Sequence, residues 1–381
     1  MTAGNAFSYW EKSSFLTHDI AIIGSGIVGL NAALHIIKTQ PSLKIVVLDS
    51  GFLPSGASTK NAGFACFGSV SELLDELETS NEDEVLQVLE LRWKGLQKLR
   101  KNLGDHRLDY QQLGGFEIFT HEDRDLSERC IQSIPYLNEL VKTVIGQSDI
   151  YAVRNEKIAE FGFQGIGTLI ENRYEGQIDT GKMMRSLLTQ VQGQGVLTLN
   201  NCRLLNLHHE DLGIRLETSQ GDLFAKKVVV ATNGFATGFF PELNMVPGRG
   251  QVLVTEKVAD LKVKGTFHYD KGYYYFRNVD GRILLGGGRN LDFHGEETFE
   301  FGLTDQIQNR LEELLHTIIA PGLDLKIEQR WSGIMAFGDK LQPIIREIRE
   351  NVFCAVRCNG MGVAMGSEVG ESVANQVLNS L

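Results

Sequence analysis

Short runs of apolar residues recur along the chain, and the first of them is followed by a helical pattern of apolar positions. Residues 19–23 (DIAII) end in glycines, residues 27–38 carry apolar positions at helical spacing, and residues 44–48 (KIVVL) form a second apolar run. Runs of this length between turn residues are typical of buried parallel strands. The pattern therefore predicts a βαβ unit at the start of the chain.

The same periodicities predict the later elements. Amphipathic spacing indicates long helices over 83–103, 125–145, 180–192 and 305–319. Alternating or continuous apolar runs indicate strands over 196–207, 213–218 and 227–231. Strands of a second sheet are expected over 116–120, 250–255, 273–277 and 282–285.

The order of these segments predicts how the chain is divided. Segments of βαβ type lie at the start, middle and end, and mixed antiparallel segments lie between them. We therefore expect an α/β (α+β mixed) fold in which a dinucleotide-binding domain is interleaved with a mixed-sheet substrate domain. The expected segments are 1–104, 171–244 and 328–381 for the first domain, and 105–170 and 245–327 for the second.

Composition narrows the class of protein. The 381 residues carry a net charge of −11, which argues against nucleic acid or an anionic membrane as the main partner. The five cysteines are scattered and lack C-x-x-C spacing, so we expect no disulfide framework and no metal site. No secretory signal or bilayer-spanning run is apparent, and a cytoplasmic enzyme is expected.

The turn after the first strand carries the clearest chemical signal. Residues 24–29 (GSGIVG) fit G-x-G-x-x-G between a strand and a helix, where Gly24 permits the tight turn and Gly26 lets the backbone approach a pyrophosphate. Gly29 lets the helix pack closely, and the N–H groups at the helix start face the phosphates. Asp49, at the end of the second strand, is placed to accept hydrogen bonds from a ribose.

Three further stretches separate FAD from NAD. The small, polar run 55–63 offers donors without bulk, as a ribityl chain and a flavin edge require; the strand 228–231 returns to the cofactor, and the glycines of 359–364 open a second helix N-terminus. The predicted cofactor contacts are Gly24, Gly26, Ile27, Gly29, Asp49, Ser50, Ala57, Ser58, Asn61, Ala62, Gly63, Phe64, Leu204, Thr232, Asn233, Gly234, Gly333, Gly360, Met361, Gly362, Val363 and Ala364.

With these stretches in this order, the chain resembles the D-amino acid oxidase (DAO) superfamily of FAD enzymes over nearly its whole length. Further motifs at 248–253 (GRGQVL), 273–277 (YYYFR), 281–288 (GRILLGGG) and 330–333 (RWSG) support the resemblance. It is closest to the gamma-glutamylputrescine oxidase group, through residues 8–10 (SYW), the triple glycine and Arg330-Trp331.

The resemblance implies a glutathione reductase-type FAD domain and a defined chemistry. A hydride passes from the substrate carbon to flavin N5, and the resulting imine is hydrolysed. The expected substrate is a small primary or secondary amine, amino-acid-like or polyamine-like. The expected electron acceptor is O2 or a carrier. The helix that begins near Gly362 would stabilise the reduced flavin with its positive end.

Some positions depart from the family pattern. Glycine oxidase-like members carry a carboxylate-binding arginine where this chain has Met335, and methionine cannot replace a bidentate guanidinium. Arg289, just after the triple glycine, is a candidate carboxylate ligand from another direction. The oxygen-activating lysine of sarcosine oxidase-like members corresponds to about Leu284.

The remaining site candidates also rest on the resemblance. Lys60 is a positive group expected near the flavin, and Tyr274 aligns with a substrate-facing tyrosine, so its neighbours should point to the other side of the strand. His268 is expected near the inner surface of the substrate domain. No cysteine occupies 335–342, where a sarcosine oxidase-like covalent link would form, so noncovalent FAD is expected.

Three alternatives stay open at this stage. One is a flavin dehydrogenase that oxidises a 2-hydroxy acid or amino acid and passes electrons to a quinone or carrier. Another is a flavin-binding module without turnover, which is compatible with the absence of the family arginine at position 335. The third is an enzyme that modifies RNA, and the acidic net charge weighs against it.

Overall fold

The computed structural model describes residues 7–381. The first six residues of the predicted segment 1–104, and with them part of the stretch judged to lack a secretory signal, lie outside this range. The strands, in chain order, are β1 (Thr17–Ile23), β2 (Ile45–Leu48), β3 (Phe64–Ala65), β4 (Gly115–Thr120), β5 (Tyr151–Val153), β6 (Ile166–Asn172), β7 (Gly176–Gln177), β8 (Leu197–Leu199), β9 (Leu204–Glu210), β10 (Gly213–Thr218), β11 (Gly221–Val230), β12 (Val246–Thr255), β13 (Thr266–Tyr269), β14 (Tyr274–Val279), β15 (Arg282–Gly287), β16 (Ile327–Phe337), β17 (Ile344–Arg349) and β18 (Val352–Val356).

The helices confirm the long amphipathic patterns. They are α1 (Tyr9–Glu11), α2 (Ile27–Thr39), α3 (Val70–Thr79), α4 (Glu82–Leu103), α5 (Asp105–Leu108), α6 (Arg124–Ile145), α7 (Glu156–Phe161), α8 (Thr180–Gly193), α9 (Asp305–Leu314) and α10 (Gly362–Asn379). The predicted helix over 305–319 is α-helical to residue 314 and finishes in a π-helical turn. Helix α3, which the sequence analysis did not predict, begins at a Ser69–Glu72 capping box.

The first sheet has the order β17-β18-β11-β1-β2-β8, with β10 and β9 attached beside β11. Strands β18, β11, β1, β2 and β8 are parallel, and β1 and β2 are almost wholly buried between layers of helices and strands. This burial on both faces explains their continuous apolar sequence. Helices α2, α4 and α10 pack together on one side, with their apolar stripes in one core.

The second sheet has the order β16-β12-β15-β14-β13-β4-β6-β5 and mixes parallel with antiparallel pairs. Its two faces bury different residues. One face packs under α9 in a cluster that includes Phe267, Leu285 and Leu311; we call it the outer face. The other face packs against Ala62 and Phe64 of the loop that precedes and enters β3; we call it the inner face.

One predicted strand is wrong in extent. The sequence suggested a single strand over 196–207, but the structure divides it into β8 and β9, which pair with different partners. The break lies at Asn201, which adopts a left-handed conformation (φ +52°), and the next N–H, of Cys202, donates to the Asp49 carbonyl at 2.8 Å. Asparagine tolerates this conformation better than most residues, which allows the turn.

The mixed α/β architecture with two sheets is confirmed. The division into domains stays a prediction. The third predicted segment of the cofactor domain begins at residue 328, whereas β16 belongs to the second sheet together with β12. The sequence motif at 330–333 therefore lies on the substrate-domain sheet, at the side that faces the first sheet's loops.

Candidate active site

Four predicted cofactor stretches meet at one edge of the first sheet. They follow the carboxyl ends of the neighbouring parallel strands β2, β1, β11 and β18, at Asp49, Gly24, Thr232 and Arg357 respectively. Ligands of open α/β sheets bind outside the carboxyl ends of the strands. The topology thus brings together stretches that are more than 300 residues apart in sequence.

The turn between β1 and α2 has the shape that a dinucleotide turn requires. Gly24 has φ +107°, and a Cβ there would lie 2.8 Å from the Ala231 carbonyl oxygen, so only glycine fits. Gly26 is the N-cap of α2 and supplies no side-chain cap. The Ile27 N–H donates to Ser58 Oγ at 2.9 Å, which places the Ser58 hydroxyl at the helix start.

Asp49 is ordered by the turn beside it. Its Oδ2 accepts hydrogen bonds from the Ser25 N–H at 3.0 Å and from the Ser25 hydroxyl at 2.6 Å. Its Oδ1 accepts one from the Gly51 N–H at 2.9 Å. A carboxylate offers about four acceptor positions, so one position is left for a hydroxyl donor.

The small, polar loop of residues 55–64 is fixed by its own asparagine and by the second sheet. Asn61 Nδ2 donates to the Ser58 carbonyl at 2.9 Å, and its Oδ1 accepts from the Gly63 N–H at 2.8 Å. The buried Arg277 on β14 donates to the Gly63 carbonyl at 2.9 Å. Trp331 Nε1 donates to the Lys60 carbonyl at 2.9 Å. Sequence reasoning missed Arg277, because a charged residue in a strand gives no sign of a loop that will need a donor.

A second helix N-terminus lies close to the first. Helix α10 begins at Gly362, and its N-cap Met361 supplies no side-chain cap. A Cβ at Gly366 of α10 would lie 2.6 Å from Ile27 Cγ2, so α10 crosses α2 near the start of both helices. Two sets of helix N–H groups therefore point into the same region. The Thr232 hydroxyl is buried there without a hydrogen-bond partner among residues 7–381.

The tyrosine prediction is wrong in orientation. Tyr274 lies in the cluster of the outer face, 3% exposed, with Arg310 over its ring at 5.9 Å. Tyr275 lies on the inner face, where its ring packs edge-on against Phe64 with 5.6 Å between centroids. Burial raises the pKa of Tyr275 to about 12. Residues 273–276 (YYYF) lack the polar–apolar contrast that fixes the phase of a strand.

Glycines on the inner face make room for the side chains of Tyr275 and Met335. A Cβ at Gly286 would lie 2.8 Å from the Tyr275 hydroxyl, and one at Gly250 would lie 2.9 Å from Met335 Cε. Met335 Sδ lies 3.8 Å from the Cβ position of Gly360. Met335 therefore stands between the second sheet and the turn that leads into α10.

Arg289 reaches the same region from the neighbouring strand. Its guanidinium lies over the Phe337 ring at 4.0 Å and the Phe293 ring at 4.8 Å. Nη1 lies 3.4 Å from the Cβ position of Gly248, the β12 residue that pairs with Met335. Among residues 7–381 it forms no ion pair, and burial lowers the pKa of Arg289. A half-buried cation beside Met335 is thus available to an anion.

Lys60 and His268 occupy different surroundings. Lys60 Cβ lies 3.1 Å from the Cβ position of Gly333, and its ammonium lies 5.0 Å from the centre of the Phe301 ring, at the edge of the inner face. His268 packs edge-on against Phe64 at 5.3 Å, one aromatic layer behind Tyr275. Leu284, which stands at about the position of the family lysine, is buried on the inner face.

The other predicted cofactor residues are placed as follows. Asn233 and Gly234 lie in a 3-10 turn against β16, and the Asn233 Oδ1 accepts from the Arg357 N–H at 3.1 Å. Leu204 is buried in the core of the first sheet, and Ser50 is exposed. Of the remaining predicted cofactor residues, Gly29 lies in the first turn of α2, and Val363 and Ala364 lie in the first turn of α10. Ala57 and Ala62 lie in the loop of 55–64.

A parallel sheet with a glycine turn and a strand-end acid is typical of a dinucleotide-binding protein, and here a mixed sheet faces it. Residues 19–376 match the DAO family model, described as FAD dependent oxidoreductase, and the chain belongs to this family. It is an FAD-dependent oxidoreductase, as the sequence predicted.

Curated relatives match almost the whole chain. Gamma-glutamylputrescine oxidoreductase of Escherichia coli is 23% identical over 382 residues, covering 94% of this chain and 83% of the relative. Glycine oxidase of Bacillus licheniformis is 20% identical over 377 residues, covering 95% and 94%. The predicted resemblance to both groups is confirmed.

Solved structures share the fold. The glycine oxidase of Geobacillus kaustophilus superposes with a TM-score of 0.77 at 18% identity, covering 96% of this chain and 95% of that one. The L-proline dehydrogenase of P. horikoshii gives a TM-score of 0.76 at 18% identity, covering 96% and 94%. Among residues 7–381, none of the helices combines the length and the apolarity needed to cross a bilayer.

The residues present fit FAD. Two helix starts whose N-cap residues supply no side-chain bond, the turn at Gly24 and the free acceptor position on Asp49 match a pyrophosphate and a ribose. The unpartnered Thr232 hydroxyl is a buried polar group that needs a partner of this kind. The inner face of the second sheet then forms the opposite wall of the site.

Proposed function

We propose that the protein oxidises the carbon–nitrogen bond of a small amine that carries a carboxylate, and that Arg289 binds this carboxylate. The observation that carries the proposal is the half-buried Arg289 guanidinium on the inner face, stacked on Phe337 and without an ion-pair partner among residues 7–381. Burying an unpaired charge costs free energy, so such a group is typical of a ligand site.

The position of Arg289 also explains how the site can lack an arginine at position 335. In the family pattern a carboxylate-binding arginine is expected where Met335 stands, and Arg289 reaches the paired position on β12 from the end of β15. The cation is thus supplied by a different strand to the same part of the inner face. A planar guanidinium packed against two aromatic rings presents its N–H edge to a carboxylate.

The other side chains take supporting roles in this proposal. Bound FAD supplies the acceptor for the hydride that leaves the carbon next to the substrate nitrogen. Tyr275, neutral because its pKa is about 12, offers a hydroxyl hydrogen bond to the substrate. Met335 and Phe337 exclude water from the reacting carbon. The resulting imine is hydrolysed after it leaves the site. The flavin is held without a covalent bond, so acid denaturation releases it.

The test compares amines that differ only in the carboxylate. Arg289→Met should lower kcat/KM for the carboxylate-bearing amine by about 10- to 100-fold, the value of a charged hydrogen bond, and leave kcat/KM for the matching carboxamide unchanged. Arg282→Met removes an arginine of β15 that is paired with Glu328 on the surface, and it should change neither. An equal loss for acid and amide in Arg289→Met would refute the role of Arg289.

A second candidate concerns the electron acceptor. Leu284 stands at about the position where sarcosine oxidase-like relatives carry the lysine that serves oxygen, which favours a dehydrogenase that passes electrons to a quinone or carrier. The acceptor is decided by admitting air to the reduced protein. Reoxidation within seconds supports an oxidase, and persistence of reduced flavin until a quinone is added supports a dehydrogenase.

A further inference from the structure

A buried polar cluster lies behind the inner face, apart from the residues assigned above. Cys66 Sγ, a Glu175 carboxylate oxygen and a His268 ring nitrogen all lie within 4.8 Å of one another. The three residues are 2%, 1% and 8% exposed. They come from the segment after β3, the turn between β6 and β7, and β13, so their proximity is invisible in the sequence.

The imidazole of His268 lacks the partners that a buried imidazole needs. Both of its nitrogens are buried without a hydrogen bond among residues 7–381. A further acid, Glu72, has Oε2 4.0 Å from His268 Nδ1, which is too long for a hydrogen bond. A buried polar group without a partner costs about 1–3 kcal/mol, so this arrangement calls for an additional atom between the three side chains.

We propose that Cys66, Glu175 and His268 bind a divalent transition metal of the Zn²⁺ type, with Glu72 or a water as the fourth ligand. One thiolate, one imidazole and carboxylate oxygens are ligands that zinc accepts, whereas calcium and magnesium prefer oxygen alone. Tetrahedral zinc needs neighbouring ligand atoms somewhat under 4 Å apart, so the side chains close in by about 1 Å.

The surroundings already orient the proposed ligands. Glu175 Oε1 accepts from the Phe67 and Gly68 N–H groups at 2.7 and 2.9 Å, which orients the carboxyl group. The Thr266 hydroxyl lies 3.3 Å from Cys66 Sγ. Such outer hydrogen bonds are typical of metal sites. A cavity of about 10 Å³ borders Glu175 and His268, comparable to the space of one water.

The site would add a further link between the segment after β3 and the second sheet. Cys66 lies two residues beyond Phe64, which ends the cofactor loop, and His268 lies in the second sheet. A metal here would fix the loop of 55–64 to the sheet that carries Tyr275 and Arg289. It would stabilise the folded state, because a ligand that binds only the folded chain adds its binding free energy.

The test measures metal in the FAD-loaded protein, expressed with zinc in the medium and dialysed afterwards. The wild type should retain about one zinc per chain. Cys66→Ser and His268→Gln should lose it while keeping their flavin, which shows that they fold. Cys354→Ser changes a buried cysteine of β18 far from these ligands and should keep the zinc.

A spectroscopic measurement on the unaltered protein covers the case in which the variants fail to fold. X-ray absorption at the zinc edge should show one sulfur at about 2.3 Å and lighter ligands at about 2.0–2.1 Å. Absence of bound zinc, equal zinc in the variants, or a zinc shell without sulfur would each overturn the proposal. Metal content is independent of amine turnover, so this result and the test of Arg289 stand or fall separately.

Discussion

At the scale of the residue, Asp49 orders the glycine turn, and we propose that it also binds the cofactor. Three of its acceptor positions serve Ser25 and Gly51, and these bonds hold the glycine turn against the end of β2. The fourth position is open to a ribose hydroxyl. In this proposal one carboxylate both shapes the turn and contributes to the affinity for FAD.

Asp49→Asn should weaken FAD binding by about 10- to 100-fold, because hydrogen bonds to a charged acceptor contribute about 1.5–3 kcal/mol. The measurement is titration of the apoprotein with FAD, followed by quenching of flavin fluorescence. Asp211→Asn, an exposed change in the β9–β10 turn, is the matched control. Unchanged affinity in Asp49→Asn would show that this carboxylate serves the turn alone.

A second single residue, His18 at the start of β1, affects how the stability of the fold depends on pH. It is 4% exposed, and burial, reinforced by Lys44, lowers its pKa to about 4. Below its ordinary pKa of 6.5 the unfolded chain takes up a proton that the folded chain resists. The contribution of a neutral His18 is therefore present above pH 6.5 and is lost as the pH falls towards 4.

We expect the free energy of unfolding in urea to fall between pH 6.5 and 4, with a contribution from His18 of at most about 3 kcal/mol. His18→Gln should show a shallower fall in this window. His209→Gln, at an exposed position of β9, should follow the wild type. Identical slopes for wild type and His18→Gln would mean that His18 is not held neutral by the fold.

At the scale of the element, the register of β14 decides which tyrosine lies on the inner face. Its alternation places Tyr275 and Arg277 towards the cofactor loop and Tyr274 and Phe276 under α9. A shift of one residue would exchange the two sets. The pairing of β14 with β13 and β15 fixes the register.

Tyr275→Phe should lower kcat/KM for the amine by about 3- to 10-fold, the value of one hydrogen bond, and by the same factor at every pH below 10, because the phenol stays neutral there. Tyr274→Phe is the matched control on the outer face and should leave kcat/KM unchanged. If Tyr274→Phe lowered kcat/KM and Tyr275→Phe did not, Tyr274 and not Tyr275 would be the tyrosine that contacts the substrate.

The elements differ in how far the sequence alone could predict them. The β1–α2–β2 unit and the long helices follow from local periodicity and from the glycine turn, so they were predictable. The phase of β14 was not, because residues 273–276 are aromatic on both sides of the strand. The break at Asn201 and the role of Arg277 depend on partners distant in sequence, Asp49 and Gly63, which no local pattern reveals.

At the scale of the whole molecule, the proposed site lies between the strand ends of the first sheet and the inner face of the second. The cofactor loop connects the two, through Arg277 to the Gly63 carbonyl and through Trp331 to the Lys60 carbonyl. The family motifs are spread along the chain because each strand end contributes one stretch. The cofactor class was therefore predictable from ordered motifs, whereas the substrate wall, built from three strands, was not.

Hydride transfer from a carboxylate-bearing amine to the bound FAD is the reaction that we propose for this protein. The most direct measurement is the visible flavin band of the purified protein during anaerobic addition of glycine, sarcosine, D-proline, gamma-glutamylputrescine and 2-hydroxyglutarate. We expect at least one of the carboxylate-bearing amines to bleach the band, and the Arg289→Met variant to respond far more slowly to the same amine. Bleaching by the 2-hydroxy acid and by none of the amines, or a protein that neither contains nor takes up FAD, would contradict it.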